Sequence, residues 1–221
     1  PVIHSAVHQP LDDTKPGLSL FIVGQYFNRH ETWADMAKPW IDYIARNSFM
    51  LQQGSNHADV AYFHGEDTPL SAQYADRALA DVPTSYAYDF VNTDALLNLL
   101  KVDKGELTAP SGARYHVLYL GNASRSMTLP VLRKIADLVA AGATVIGLAP
   151  TGSPSLADDK AAYAKLVSIL WGGQRVTTVE QGRVIASQDV EAALKSMNVL
   201  PDFSYVKPAP DSEILFTHRK L

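Results

Sequence analysis

Tyr115-His116-Val117-Leu118-Tyr119-Leu120, then Thr128-Leu129-Pro130-Val131-Leu132-Arg133-Lys134-Ile135-Ala136-Asp137-Leu138-Val139-Ala140, then Gly142-Ala143-Thr144-Val145-Ile146-Gly147-Leu148 follow one another along the chain. The first run is a strong strand. The second starts on Thr128 and Pro130 and places Val131, Leu132, Ile135, Leu138 and Val139 on one helical face. Gly142 stops it, and Thr144–Leu148 is short and apolar, as a buried strand is. Strand, helix, glycine turn, strand is the pattern of a parallel βαβ unit, whose crossover is right-handed almost without exception.

Working outward, the same alternation continues. Downstream, the loop Pro150–Ser155 leads into a helix over Ala157–Leu170. Val176–Val179 and Val184–Ile185 are short strands, and Ser187 is placed to cap a helix over Val190–Met197. Upstream, Val60–Phe63 is an apolar strand. Ser71–Ala80 reads as a helix ended near Pro83, and Tyr86–Val91 as a strand or extended link. Thr93 is placed to cap a short helix over Asp94–Leu100, and Val102–Gly112 reads as a hairpin around Lys104-Gly105. The expected architecture is a three-layer α/β domain over residues 55–200 with a mostly parallel sheet.

Residues 1–54 do not fit that domain. Two apolar runs, Pro1–Val7 and Leu18–Val23, are separated by Asp12-Asp13-Thr14-Lys15-Pro16-Gly17, where Pro-Gly signals a turn. Thr32, answered by Asp35, is placed to cap a helix from Trp33 whose apolar positions are Met36, Ala37, Trp40, Ile41, Ile44, Phe49 and Met50. Gly54 is its stop. At the other end, residues 201–221 read as a proline-bearing linker and a strand. The chain is expected to be a piece of a longer protein.

Composition narrows the function. There are 221 residues, 47% apolar and 19% charged, as in a packed globular protein. A net charge of −4 argues against nucleic acid, whose phosphates demand a basic face. No apolar run reaches the ~20 residues that cross a bilayer. The absence of cysteine removes disulfides, thiolate zinc sites and a cysteine nucleophile. Neither G-x-G-x-x-G nor a Walker loop is present, and Gly172-Gly173 follows a helix as a stop would.

In an open parallel sheet, ligands bind beyond the carboxyl ends of the strands. Three loops occupy such places here: His64-Gly65-Glu66-Asp67, Gly121-Asn122-Ala123-Ser124-Arg125, and Pro150–Ser155. The histidine and two carboxylates of the first could bind a metal or exchange protons. Glu66 and Asp67 could equally cap the next helix or accept hydrogen bonds from neighbouring loops, and this structural reading is preferred. Gly121-Asn122-Ala123-Ser124 stands where a nucleophile elbow would, but lacks the second glycine of G-x-S-x-G. In the N-terminal segment, His8-Gln9-Pro10 and Asn28-Arg29-His30 follow strand-like runs, where β/α barrels carry their active-site residues. Trp33 is either a platform for the apolar face of a sugar or a core residue of its helix; Trp40 is expected to be core.

The succession His8-Gln9-Pro10, Phe27-Asn28-Arg29, Thr32-Trp33, Trp40-x-x-Tyr43, Leu51-Gln52-Gln53-Gly54, Ala58-Asp59-Val60-x-Tyr62-Phe63-x-Gly65-Glu66 and Tyr88-Asp89-Phe90-Val91-Asn92 resembles glycoside hydrolase family 106, the α-L-rhamnosidases. The likeness continues through Gly142-Ala143-x-Val145 and Ser153-Pro154 to Thr217-His218-Arg219. It implies that residues 1–54 are the closing strand-and-helix portion of a catalytic (β/α) barrel. Residues 55–200 would then be a flavodoxin-like domain, similar to class I glutamine amidotransferases but without their cysteine. Residues 201–221 would be a linker and the first strand of a β module. The resemblance further implies hydrolysis of terminal α-L-rhamnosides with inversion by two carboxylates, with calcium in the parent enzyme. Those carboxylates do not map onto this chain. His8, Asn28, Arg29 and Trp33 would border the substrate, no catalytic residue is assigned here, and the chain alone is expected to be inactive. Periplasmic or secreted residence and a possible homo-oligomer follow from the family. The competing readings are a stand-alone flavodoxin-like ligand-binding module using the Gly121 and Pro150 loops, and a small hydrolase using Glu66 or Asp67.

Overall fold

The computed structural model describes residues 9–11, 14–18, 32–66, 79–173, 175–212 and 214–221. The chain divides into two compact units, Pro1–Ser55 with Leu221, and Asn56–Lys220.

In the first unit, β1 (Gln9–Leu11) pairs antiparallel with β2 (Thr14–Leu18). The expected turn at Pro16-Gly17 is instead part of β2. A two-stranded pair leaves one side of each strand unbonded, which is where a proline is tolerated. The helix α1 runs over Lys38–Gln52, later than Thr32 and Asp35 suggest. A 3-10 turn over Ala34–Met36 precedes it, Ala37 is its N-cap, and Pro39 lies in its first turn, where the missing N–H costs nothing. No residue of α1 is buried. Trp40, expected in a core, is 39% exposed and meets Trp33 edge-on, with ring centroids 5.9 Å apart.

The second unit carries the alternation. In chain order its elements are β3 (Ser55–Asn56, whose first residue ends the preceding unit), β4 (Val60–Phe63), β5 (Tyr88–Val91), β6 (Lys101–Asp103), β7 (Glu106–Thr108), β8 (Arg114–Tyr115), β9 (Val117–Leu120), α2 (Leu129–Ala140), β10 (Thr144–Ile146), α3 (Lys160–Trp171), β11 (Val176–Val179), β12 (Gly182–Ile185), α4 (Val190–Ser196) and β13 (Arg219–Lys220). Among the described residues the main sheet has the order β11-β12-β10-β9-β4-β5. All its pairs are parallel except the outer β11–β12 pair.

The central strands are buried on both faces, so they read as continuous apolar runs. Along β4, Ala61 and Phe63 join one cluster, with Leu118, Val145, Leu132 and Ile135. Val60 and Tyr62 join the other, with Tyr119, Ile146, Ile185 and Leu194. Helices α2 and α3 cover the first face and α4 the second, so the described elements form three layers. The six inward residues of α2 are Leu129, Val131, Leu132, Ile135, Leu138 and Val139. Gly142 closes this helix at a φ of 115°, which only glycine adopts without strain.

Three helix starts differ from expectation. Asn92, not Thr93, accepts from Ala95 N, and the turn that follows over Ala95–Leu99 is a π turn. Asp159 caps α3, and Asp189, not Ser187, accepts from Ala192 N at α4. Ser187 Oγ instead accepts from Asp189 N. Toward the carboxyl end, the expected terminal strand is confined to Arg219–Lys220.

Candidate functional site

The strand order reverses between β4 and β9, and the crevice beyond their carboxyl ends is where an open α/β sheet takes a ligand. Here the chain fills it. Phe63 O accepts from Gly121 N at 3.2 Å and from the buried Ser124 Oγ at 2.8 Å. A Cβ on Gly65 would stand 2.4 Å from Ala123 O, and one on Gly121 would stand 2.1 Å from Tyr62 Oη. Ser124 thus spends its hydroxyl on the backbone and offers no nucleophile.

Asp81 closes the crevice on the side of Tyr62 and Tyr119. It accepts from Tyr62 Oη at 2.9 Å, from Tyr119 Oη at 3.2 Å and from Asn122 N at 2.8 Å. Burial first, then the charge and acceptor oxygens of Asp81, push both phenols well above their usual range. Asp81 carries no recognisable motif, and sequence reasoning passed over it.

The acids near α2 are caps. Glu66 accepts from Thr128 N and, at 3.0 Å, from Thr128 Oγ1. Asp158 accepts from Leu129 N at 2.7 Å and from Ser153 Oγ. Those two bonds hold the Asp158 carboxyl below its ordinary value. Two carboxylates therefore satisfy the orphan donors at this helix N-terminus and complement its dipole. In the Pro150 loop, Thr151 N donates to Arg125 O, and Tyr163 Oη donates to Gly152 O. Burial pushes Tyr163 up to about 12. His64 is half-buried, and desolvation lowers its pKa. Asp67 lies outside the described residues. Glu66→Ala is expected to destabilise the fold by about 1 kcal/mol, the cost of a lost cap, without changing turnover. Denaturant unfolding beside steady-state kinetics checks this, and a large fall in kcat at unchanged stability would restore Glu66 as a catalyst.

The opposite edge of the sheet holds a constellation that sequence reasoning missed. Because β4 and β9 pair with Val60 opposite Val117, the residues just before them, Asp59 and His116, stand together. His116 Nδ1 lies 2.7 Å from Asp59 Oδ1, and Asp59 is buried. The bond to Asp59 raises His116. Burial works to raise Asp59, but the hydrogen bond from His116, the adjoining side chain of Asp202 and the nearby imidazoles bring it below its ordinary value. Asp202 has a side chain only 2% exposed, bonded to His218 Nδ1 through one oxygen and to Ala87 N at 2.7 Å through the other. His57 N donates to His218 O at 3.1 Å, and the His57 and His218 rings lie 4.5 Å apart. Only His57-x-Asp59 is local; the remaining partners are far away in sequence.

Of the four residues expected to border a sugar, His8, Asn28 and Arg29 lie outside the described residues. Trp33 is half-buried beside Trp40. Calcium takes about six to eight oxygen ligands. The imidazole-rich cluster at His57 and His218 does not fit that demand, and no chemistry is assigned through calcium here. Among the described residues no helix is long and apolar enough to cross a membrane.

The glycoside hydrolase 106 family model, described as alpha-L-rhamnosidase, matches residues 1–221. A solved structure, the rhamnosidase from Novosphingobium sp. PP1Y, superposes with a TM-score of 0.90 at 54% identity, covering 100% of this chain and 21% of that one. A curated relative from Formosa agariphila, named "Putative beta-glucuronidase", is 39% identical over 99% of this chain and 18% of its own length. The chain thus spans about a fifth of the proteins it matches. A match over the full length of the sequence places this chain in glycoside hydrolase family 106, the alpha-L-rhamnosidases.

Proposed function

We propose that this chain is a section of an enzyme that hydrolyses terminal α-L-rhamnosides, and that its α/β unit is a non-catalytic scaffold. The observation that carries the substrate is the 54% identity, along the whole chain, to a rhamnosidase. The scaffold role is supported by the crevice at the switch between β4 and β9. Every loop that could hold a ligand there is hydrogen-bonded to its neighbours.

The parallel strands, taken in chain order, stand in the spatial order 2-1-3-4-5, which is that of flavodoxin-like folds. This supports the reading of residues 55–200 as a flavodoxin-like, class I glutamine amidotransferase-like domain whose nucleophile is absent. Residues 1–54 are read as the closing strand-and-helix portion of a (β/α) barrel. The exposed apolar residues of α1, among them Ile41, Phe49 and Met50, support this, since such a stripe is shaped for burial against further elements. Residues 201–221 lead toward a following β module.

In an inverting glycosidase a general acid protonates the leaving oxygen while a general base draws a proton from water. The two carboxyl groups stand about 6.5–9.5 Å apart. We assign that pair to parts of the enzyme outside this chain. His8, Asn28, Arg29 and Trp33 then border the sugar, binding and orienting it without joining in bond cleavage. A homo-oligomer and residence in the periplasm or outside the cell belong to the same proposal.

The test is turnover of p-nitrophenyl α-L-rhamnoside by the protein that carries this chain. No release of nitrophenol would end the substrate assignment. A second reading, a β-glucuronide, is favoured only by the name of the Formosa agariphila relative, and p-nitrophenyl β-D-glucuronide in parallel separates the two. Trp33→Ala is expected to raise KM roughly tenfold, or about 1.4 kcal/mol of binding, with kcat retained. An unchanged KM would remove Trp33 from the sugar site.

A further inference from the structure

We propose that His57, Asp202 and His218 form a binding site for a borderline divalent metal ion of the zinc type, which clips the segment carrying Asp202 and His218 onto the amino edge of the sheet. This stands independently of the rhamnosidase reading. One ligand atom from each of the three residues lies within 4.8 Å of the others. Ligands on a tetrahedral zinc ion at bond lengths of about 2.0–2.1 Å stand roughly 3.3–3.5 Å apart, so small side-chain rotations close the set. Two imidazoles and one carboxylate suit zinc, and they exclude the hard cations that demand oxygen.

The surroundings are those of a held site. Metal sites need an outer layer that fixes ligand orientation. The second oxygen of Asp202 is pinned by Ala87 N at 2.7 Å. Asp59 Oδ1 lies 3.8 Å from His57 Nε2 and is itself anchored by His116 at 2.7 Å. The backbone bond from His57 N to His218 O fixes the approach of the two imidazole-bearing segments. Asp202 is buried while His218 is 42% exposed at its side chain, so an ion has both a fixed anionic ligand and a route of entry. Water completes the fourth position. Metal ligation needs deprotonated ligand atoms, so uptake is expected to weaken as the pH is lowered.

The role follows from chain connectivity. His57 and Asp59 stand at the start of β4, the strand at which the sheet begins in sequence. Asp202 and His218 come from the last stretch of the unit. A single ion across them joins the ends of the domain and closes the long loop between them, which is where a clip restricts the unfolded chain most.

The experiment uses the protein that carries this chain, prepared without a histidine tag and stripped with chelator. Zn²⁺, Co²⁺ and Ca²⁺ are then titrated separately by calorimetry, visible absorption and thermal unfolding. The expected result is Zn²⁺ uptake that falls by one ion per chain in His57→Gln and in His218→Gln. Co²⁺ should give the intense visible bands of a tetrahedral site. Zn²⁺ at a hundredfold excess over Kd should raise Tm by about 4 °C or more, with loss of that rise in both variants. Ca²⁺ is expected to give the same result in wild type and variants. Zn²⁺ uptake equal in wild type and folded variants would overturn the proposal. Should the variants fail to fold, a Co²⁺ spectrum of the wild type no different from hydrated Co²⁺ overturns it equally, leaving the cluster as hydrogen-bonded histidines and aspartates.

Discussion

Gly65→Ala is expected to cost about 2–6 kcal/mol of stability, read as a lowered midpoint in denaturant at unchanged slope. Two costs combine. Gly65 has a φ of 89°, where a side chain is strained by about 1–3 kcal/mol. The added Cβ would also stand 2.4 Å from Ala123 O and 2.9 Å from Ala123 C. Both are backbone atoms, so no rotamer change relieves the contact. Nor can the backbone retreat, because Ser124 N is bonded to Gly121 O at 2.8 Å and Ser124 Oγ to Phe63 O. Overpacking of this kind costs about 1–3 kcal/mol. Gly112→Ala is the control. Its φ is 87°, but nothing lies within 4 Å of the new Cβ, so it carries the strain without the clash. The difference between the two variants measures how tightly the crevice is closed. If Gly65→Ala costs no more than Gly112→Ala, the loops have room to part and the stand-alone ligand-binding module regains its site.

Legibility tracked the distance over which each feature is decided. The βαβ unit around α2 was legible because its signals are local: an apolar run, a stripe at helical spacing, a glycine after it. All five residues assigned to the inner face of α2 are buried. The caps were less legible because adjacent residues compete. Asn92 and Thr93, like Ser187 and Asp189, can each accept from a helix N–H, and the backbone angles decide which one does. At α1 the proline prevailed over the Thr32–Asp35 pair, since helix hydrogen bonding starts where a missing donor costs least.

The sites show the same division. A structural role for Glu66 was legible, but its partner was not: the expected cap was on the next helix, whereas Glu66 accepts from Thr128 at the start of α2, 62 residues away. The cluster of His57, Asp59, His116, Asp202 and His218 was not legible. Its members come from three separated stretches that meet only once β4 and β9 are in register and the last segment has returned to the sheet. No spacing rule for metal ligands spans such gaps. Trp40 shows a related limit. Helical spacing identifies an apolar face but not what covers it, and in α1 that face is exposed.

Asp81→Ala is expected to destabilise the protein by about 2–4 kcal/mol, the cost of stranding buried donors that had a charged acceptor. Tyr62 and Tyr119 are both fully buried, and both hydroxyls point at this carboxylate. Tyr119 keeps a second acceptor in Gln188 O at 2.9 Å, so the larger share of the loss falls on Tyr62. Asn122 N loses its partner too, which loosens the loop across the switch point. Asp81→Asn retains one acceptor oxygen and is expected to lose only about half as much. Tyr62→Phe removes the donor together with its need, so it should cost less than Asp81→Ala. The decisive measurement is the cycle. In Tyr62→Phe/Asp81→Ala the stranded hydroxyl no longer exists, and the double variant should be more stable than the sum of the singles predicts, by about 1–2 kcal/mol. Strict additivity would mean that Asp81 acts on stability through the loop alone, and that the tyrosine pair is not what holds this edge of the sheet shut.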